Sequence, residues 1–331
     1  MNKKAQMSSP LSYIFALVVG AVVFVFLIGF AYQFIGFSGS LSAAETVGAL
    51  DDEFYAFSVS ESAEKVIDYG KDFDFMVYLG SVSTNGFDQS FDHIMFSPLE
   101  IQGEFLYVAT KALEIPYKVT NLFYLSDGNT IYILVYDSNS EEVVEDLQSS
   151  YSSIPQNFAS EAFSITQVSA NIQELYELTA QYSHVRFIFF TSYESVLDDI
   201  QSTFPNYDIL SVSSTYDDYS FGEVEFSDGT EVIYLDYPLL IGAMISSNAA
   251  SYEYNLEKVF EKADVVTKVY YDKAKFLSSR ASGCEYGAIK TSLGSYRSSF
   301  EEIATYTSYS SKIESLEDLN KDFGGDCPEV F

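Results

Sequence analysis

Between Lys4 and Glu45 the chain carries no charged residue, and Tyr13–Phe37 is an almost unbroken apolar run of 25 residues. No other feature restricts the fold so sharply. As a helix the run would span roughly 37 Å at 1.5 Å per residue, enough to cross ~30 Å of hydrocarbon with some tilt. The apolar core of a secretory signal is only about 7–15 residues long. The expectation is therefore an uncut transmembrane helix, with no cleavage at Ser42-Ala43-Ala44. Lys3 and Lys4 precede the run, and positive-inside reasoning keeps them in the cytoplasm and puts everything after about Ser38 outside the cell.

The charge that follows is one-sided. The chain has 48 acids against 17 bases, a formal net of −31. Residues 38–252 alone hold 34 acids and 5 bases, whereas residues 253–331 hold 14 and 10. A surface this acidic repels nucleic acid, so no nucleic-acid partner is expected. It also repels itself at low salt, a cost that nearly vanishes when molar salt shrinks the Debye length to roughly 3 Å. Acid excess with scarce lysine thus points to a salt-loving source. With 47% hydrophobic and 17% aromatic residues the chain is nonetheless a core-forming one.

The start Lys3-Lys4-Ala5-Gln6 resembles the processing site of archaeal type IV pilin-like precursors, in which a basic residue, a small residue and Gln precede the apolar helix. The resemblance covers about 35 residues. It implies a cut between Ala5 and Gln6, with Lys4 as the basic residue and Ser8 matching a serine often found after that Gln. At Pro10 the chain departs from the pattern, which has Glu there. The layout as a whole, with a Cys-Pro pair near the C-terminus, looks like membrane-anchored proteins of small-genome archaea. That likeness implies a lineage and no activity.

Beyond a Gly/Ser/Ala-rich linker, apolar periodicity alternates between strand and helix. Phe75–Leu79, Phe105–Ala109 and Leu122–Leu125 read as strands. Ser126-Asp127-Gly128 separates the last of these from Thr130–Tyr136 and reads as a hairpin turn. Ser138-Asn139-Ser140-Glu141 reads as a capping box opening a helix. Then come a weak strand over Phe163–Val168, a helix over Asn171–Tyr182 and a strand at Val185–Phe190 without alternation, as burial on both faces requires. Thr191–Glu194 reads as a second capping box, followed by a helix and a strand at Tyr207–Val212. Strands alternating with helices imply βαβ crossovers and a largely parallel three-layer sheet. Val224–Tyr237 repeats the Ser-Asp-Gly turn between aromatic strands.

From about Ile241 the signal is helical. Leu256, Phe260, Ala263, Tyr270, Ala274 and Leu277 mark one stripe; Ile289, Leu293, Tyr296, Phe300 and Ile303 mark another, and the two should pair as an antiparallel hairpin. Cys284 and Cys327 are expected to form a disulfide in an extracytoplasmic protein. One unbroken helix would hold them roughly 64 Å apart at 1.5 Å per residue, so the chain must turn back, with the reversal expected around Ser308-Tyr309-Ser310.

No reaction is legible. HExxH, GxSxG and phosphate-loop patterns are absent. His93 and His184 read as structural residues. Asp137–Glu141 fails to match a metal-binding DxSxS pattern, because Asn139 and Glu141 stand where the serines belong. Asn320–Asp326 spaces oxygen ligands for Ca²⁺ but reads more simply as a helix end. Asp72/Asp74 and Asp217/Asp218 read as solvated surface. No catalytic residue, cofactor or metal is expected. The expected layout is a tail and transmembrane helix (1–37), a juxtamembrane linker (38–50), an acidic, mixed, mostly parallel α/β extracellular domain (51–240) and a C-terminal helical region with the disulfide (241–331). Its partners would be the bilayer, through residues 13–37, and other envelope or filament proteins. The leading reading is a non-catalytic anchored protein of surface binding or envelope architecture. The alternatives are a pilin-like filament subunit and an ectoenzyme, whose cleft would lie at the C-terminal strand ends near Asp137, Thr191 and Ser192.

Overall fold

The computed structural model describes residues 47–331 except 85, 150–153, 192–199, 201, 206, 281–282, 301–304 and 324–326. The expected membrane span and the Lys3–Ser8 motif lie outside the described residues, as does most of the Thr191–Glu194 box. Among the described residues no helix is long and apolar enough to cross a membrane.

The body is built on two six-stranded sheets. Helix α1 (47–57) leads into β1 (Ser62–Tyr78), β2 (Ser81–Thr84), β3 (Phe87–Ser90), β4 (Met95–Phe96), β5 (Glu100–Glu114) and β6 (Lys118–Asp127). These strands form the first sheet, ordered β3-β2-β1-β5-β6-β4, antiparallel except for the short β4–β6 pair. The second sheet takes β7 (Thr130–Tyr136), β8 (Ala159–Ser164), β9 (His184–Phe190), β10 (Asp208–Ser213), β11 (Phe221–Phe226) and β12 (Glu231–Leu235). Its order is β12-β11-β10-β9-β7-β8. β8, β7, β9 and β10 run parallel, and β11 and β12 are antiparallel.

The parallel sheet inferred from the alternating pattern is therefore real but is only part of the fold, and antiparallel pairings outnumber parallel ones. The difference arises at one turn. Ser126-Asp127-Gly128 does not close a hairpin, because β6 and β7 belong to different sheets. The buried Asp127 carboxylate accepts from Asn129 N (2.9 Å) and Thr130 Oγ1 (2.9 Å) on one oxygen and from Gln102 N on β5 (2.7 Å) on the other. It thereby fixes a tight connection that passes the chain from one sheet to the next. The second Ser-Asp-Gly turn does close a hairpin, with Gly229 at φ 81° and Phe226 N donating to Thr230 O (3.0 Å).

Helices α2 (Glu141–Gln148), α3 (Ile165–Ala170) and α4 (Ile172–Thr179) supply the crossovers on the two faces of the second sheet. Two details depart from the sequence reading. Helix α2 begins at Glu141 rather than at a Ser138 cap, because Asp137 draws the Asn139 N–H into its own turn (2.8 Å) and Ser140 takes the N-cap position. The strand expected over Phe163–Val168 ends at Ser164, which caps α3 with Gln167 closing the box: Ser164 N donates to Gln167 Oε1 (2.7 Å) and Gln167 N to Ser164 Oγ (3.3 Å).

The chain continues as α5 (Asp236–Ile245), α6 (Ala249–Arg280), α7 (Gly287–Ser298) and α8 (Tyr306–Lys321). The α6 and α7 stripes meet as expected over the described residues, Ile303 lying outside them, and are tied by Arg297 Nε to Asp264 Oδ1 (2.5 Å). The reversal falls between Ser298 and Tyr306, not at Ser308–Ser310. Tyr309 is buried inside α8, where its hydroxyl donates to Ser299 O (2.7 Å), and this anchor overrides the breaker character of the flanking serines. The C-terminal helices share one core with both sheets: Tyr124 Oη donates to Pro238 O (2.7 Å) and Tyr296 Oη to Ile115 O (2.9 Å). A second core lies between α1 and the first sheet around Phe54, Phe75 and Phe123, and a third under α3 and α4. Residues 47–50, expected in the linker, are thus helical, with Val47 and Leu50 buried.

Candidate functional site

A cleft of about 540 Å³ opens where the two sheets and the end of α5 meet. Thr130, His184 and Asp208 bring the N-terminal ends of β7, β9 and β10 to its wall; Leu99 and Glu100 come from the entry to β5, and Ile245 and Ser247 from the end of α5. Its volume suits a small ligand.

Arg186 governs its chemistry. The residue lies within a strand buried on both faces and is 6% exposed. Its Nε donates to Asp208 Oδ2 (2.8 Å) and its Nη2 to the same oxygen and to Ser247 O (2.9 Å). Its Nη1 donates to the carbonyls of Ala243 (3.4 Å), Met244 (3.0 Å) and Ser246. All five guanidinium donors therefore have acceptors. The charge sits at the C-terminus of α5, where orphan carbonyls and the helix dipole favour a cation. Arg186 is a helix cap and sheet tie with nothing left for an anionic ligand. A legible signal existed: Arg186 is the only base between Lys118 and Lys258, set in the apolar run Val185–Phe190. A buried arginine has to be paired.

Two carboxylates, with Ser183, His184 and Tyr207, line what remains open to a ligand. Asp208 keeps one oxygen shared with Ser227 Oγ, and Glu100 lies on the rim. The Thr130 hydroxyl is committed to Asp127. Tyr132 is buried, and its hydroxyl faces that of Ser126 without closing a hydrogen bond of normal geometry. Burial pushes this phenol well above its ordinary range. The Asp208 and Glu100 carboxylates offer acceptors to a donor-bearing ligand.

A doubly wound sheet more often binds its ligand at the other end, where the strand order reverses, here between β7 and β9. That is where the ectoenzyme reading placed its cleft. Asp137 is buried there, and its carboxylate accepts from Asn139 N (2.8 Å) and Ser140 Oγ (3.3 Å); Ser192 lies outside the described residues. Tyr219, at φ 50°, sets its ring 5.9 Å from Phe190. Nearby, Asp236 opens α5 at φ 68°, donating its N–H to Ser220 O (2.6 Å). Burial pushes its carboxyl up to about 6 even though it accepts the Tyr237 N–H (2.8 Å), and Glu114 and Asp218 add repulsion.

Cys284 and Cys327 form a disulfide, as expected, with their Cα atoms 5.7 Å apart. It straps the C-terminal tail onto α7 and α8. The Asn320 side chain accepts from Val330 N (2.8 Å) and donates to Phe331 O (2.7 Å), so this candidate Ca²⁺ ligand is committed to the tail. Among the described residues no group of three His, Cys, Asp or Glu side chains is placed to hold a metal. His93 packs against the rings of Phe54 and Phe123, and burial lowers its pKa. His184 lies on the cleft rim, its N–H donated to Asn129 O (3.0 Å).

No protein-family model matches the chain, and neither a curated protein nor a solved structure is significantly similar to it.

Proposed function

We propose that this chain is a single-pass membrane-anchored protein with its N-terminus in the cytoplasm, whose acidic body works outside the cell in binding or envelope architecture and not in catalysis. The observation that carries this reading is the uncharged apolar run Tyr13–Phe37 behind Lys3 and Lys4. The Cys284–Cys327 disulfide supports it, since such bonds persist in oxidising compartments. The docked α1 supports it too. Only nine residues separate Phe37 from Val47, and ten steps of ~3.5 Å keep the body within about 35 Å of the bilayer. The acid excess suits a salt-loving archaeal surface, and the donor-seeking cleft supplies a place to bind. The test is protease treatment of intact cells followed by mass analysis of the membranes. Digestion of residues 47–331 with retention of a fragment containing Lys3–Phe37 is expected; full protection of the body would overturn the topology.

A second reading is favoured by Lys3-Lys4-Ala5-Gln6: a pilin-like subunit cut between Ala5 and Gln6. The intact mass of the chain from native membranes decides it. Loss of residues 1–5 puts this reading first, and a full-length N-terminus removes it.

A further inference from the structure

Two solvent-facing patches of this chain have apolar centres and opposite charge. One is the outer face of α6, where Val265, Val269 and Phe276 are 63%, 62% and 58% exposed. At ~100° per residue these three fall within roughly 40° of one another, opposite the face that buries Leu256, Ala263 and Ala274. Lys262, Lys268 and Lys273 flank them with Glu261 and Asp272 interspersed, and Arg280 lies over the Phe276 ring (5.5 Å), so bases are in excess on this face. From Lys258 to Arg280 the helix carries six bases and three acids. Two of those acids are already paired, Asp264 with Arg297 and Asp272 with Lys268. In a chain of net −31 this is a reversal of sign.

The other patch is the outer face of the β1–β3 edge. Alternation along β1 buries Phe75 and Val77 and turns Met76 and Tyr78 outward, 48% and 47% exposed. The charges registered around them are carboxylates: Asp74 on β1, Glu100 opposite Met76 on β5, and Asp88 opposite Ser83, which itself pairs with Met76.

We propose that the basic face of α6 docks onto the acidic outer face of β1–β3 of a second copy of this chain. Each patch supplies what the other lacks, an apolar centre ringed by the opposite charge, so one contact covers both. A like-charged copy is attracted at this helix and repelled over most of the remaining surface, which fixes the orientation. Because the two faces differ, the contact is heterologous: each copy keeps one face of each kind free, and repetition gives a ring or an open filament. The inference uses residues within 74–280 alone and stands whether or not the membrane reading or the cut after Ala5 holds.

The test uses the full-length chain in detergent micelles, as an equal mixture of isotopically light and heavy copies, coupled with a zero-length carbodiimide reagent. Light–heavy cross-links joining Lys262, Lys268 or Lys273 to Asp74, Asp88 or Glu100 are expected. The double substitution Lys268→Glu/Lys273→Glu should weaken concentration-dependent association at least about tenfold. Mixing that variant with Asp74→Lys/Glu100→Lys copies should restore it. Asp74, Lys268 and Lys273 are exposed and Glu100 is half-buried at the start of its strand, so circular dichroism of each variant checks that the fold is retained. One chain per micelle at every concentration would overturn the proposal, as would a charge swap that fails to rescue. Protection of the α6 lysines by anionic but not neutral lipid vesicles, without light–heavy cross-links, would overturn it in favour of a membrane surface.

Discussion

Asp236→Asn tests whether a buried carboxyl at the start of α5 strains the fold at neutral pH. The carboxyl is raised from 3.8 to about 6, chiefly by burial. That rise of about two units corresponds to a ceiling of ~3 kcal/mol at 1.36 kcal/mol per unit, of which partial contact with water leaves about 1–2 kcal/mol. Between about pH 4 and pH 6 the folded chain holds a proton that the unfolded chain has released. Asp236 therefore lowers stability as pH rises through that window, the reverse of an ion-paired carboxylate. Asparagine tolerates the same left-handed backbone and its Oδ1 can accept the Tyr237 N–H, so the substitution removes the charge and little else. The assay is urea unfolding of the full-length chain in detergent at fixed molar salt, from pH 4 to pH 8, read as variant minus wild type so that other carboxylates cancel. A gain of about 1–2 kcal/mol at pH 8 that disappears by pH 4 is expected. An equal gain at both pH values would trace the effect to packing. A loss at pH 8 would mean that the charged hydrogen bond to Tyr237 outweighs burial, and the reasoning would fail.

Arg186→Met leaves Asp208 and the α5 carbonyls without their donors and should destabilise by about 3–5 kcal/mol in the same assay; a change under about 1 kcal/mol would mean that the network is dispensable. Tyr132→Phe removes a buried hydroxyl that closes no hydrogen bond, so it should be neutral or stabilise by up to about 1 kcal/mol, whereas a loss above that would reveal a partner for the phenol. Replacing Cys284 and Cys327 together by serine opens a loop of sequence separation 43. The loss should approach ~4 kcal/mol in the chain-entropy limit, and it should appear as early hydrogen exchange in α8 and the tail.

The strands and long helices were legible because their periods are strong and local. Val185–Phe190 has no polar alternation and is buried on both faces; the α6 stripe repeats every three to four residues and faces the core. The disulfide was legible as the pairing of the two cysteines across a chain reversal. Sheet membership was not legible. The first Ser-Asp-Gly turn differs from the second in what the aspartate holds, and its partner Gln102 lies 25 residues away in sequence. The pattern around Asp127 is the same in either case, so only the tertiary contact decides between hairpin and crossover. The helix starts at Ser164 and Ser140 were blurred for a related reason. Several hydroxyls in each stretch are competent caps, and backbone context selects one of them.

The position of the cleft follows from the same contacts. In a doubly wound sheet the ligand crevice at the strand-order reversal exists because the two crossovers leave in opposite directions and nothing fills the gap. Here the chain itself returns to that end. After the β11–β12 hairpin it must enter α5, and the left-handed Tyr219 and Asp236 make the turns that bring aromatic side chains against Phe190 beside Asp137. α5 then runs toward the opposite end of the sheet and stops where Arg186 can accept its dipole. Asp127 ties β5 to the junction of β6 and β7, beside the cleft residue Thr130. A gap is left at the N-terminal strand ends, walled by an arginine with no free donor. Tyr219 packs on Phe190 at the usual ligand end of the sheet, and the far end of α5 lines the cleft at the other. A ligand search should therefore begin with cationic and polyhydroxyl compounds at Glu100 and Asp208, not with anions at the switch point.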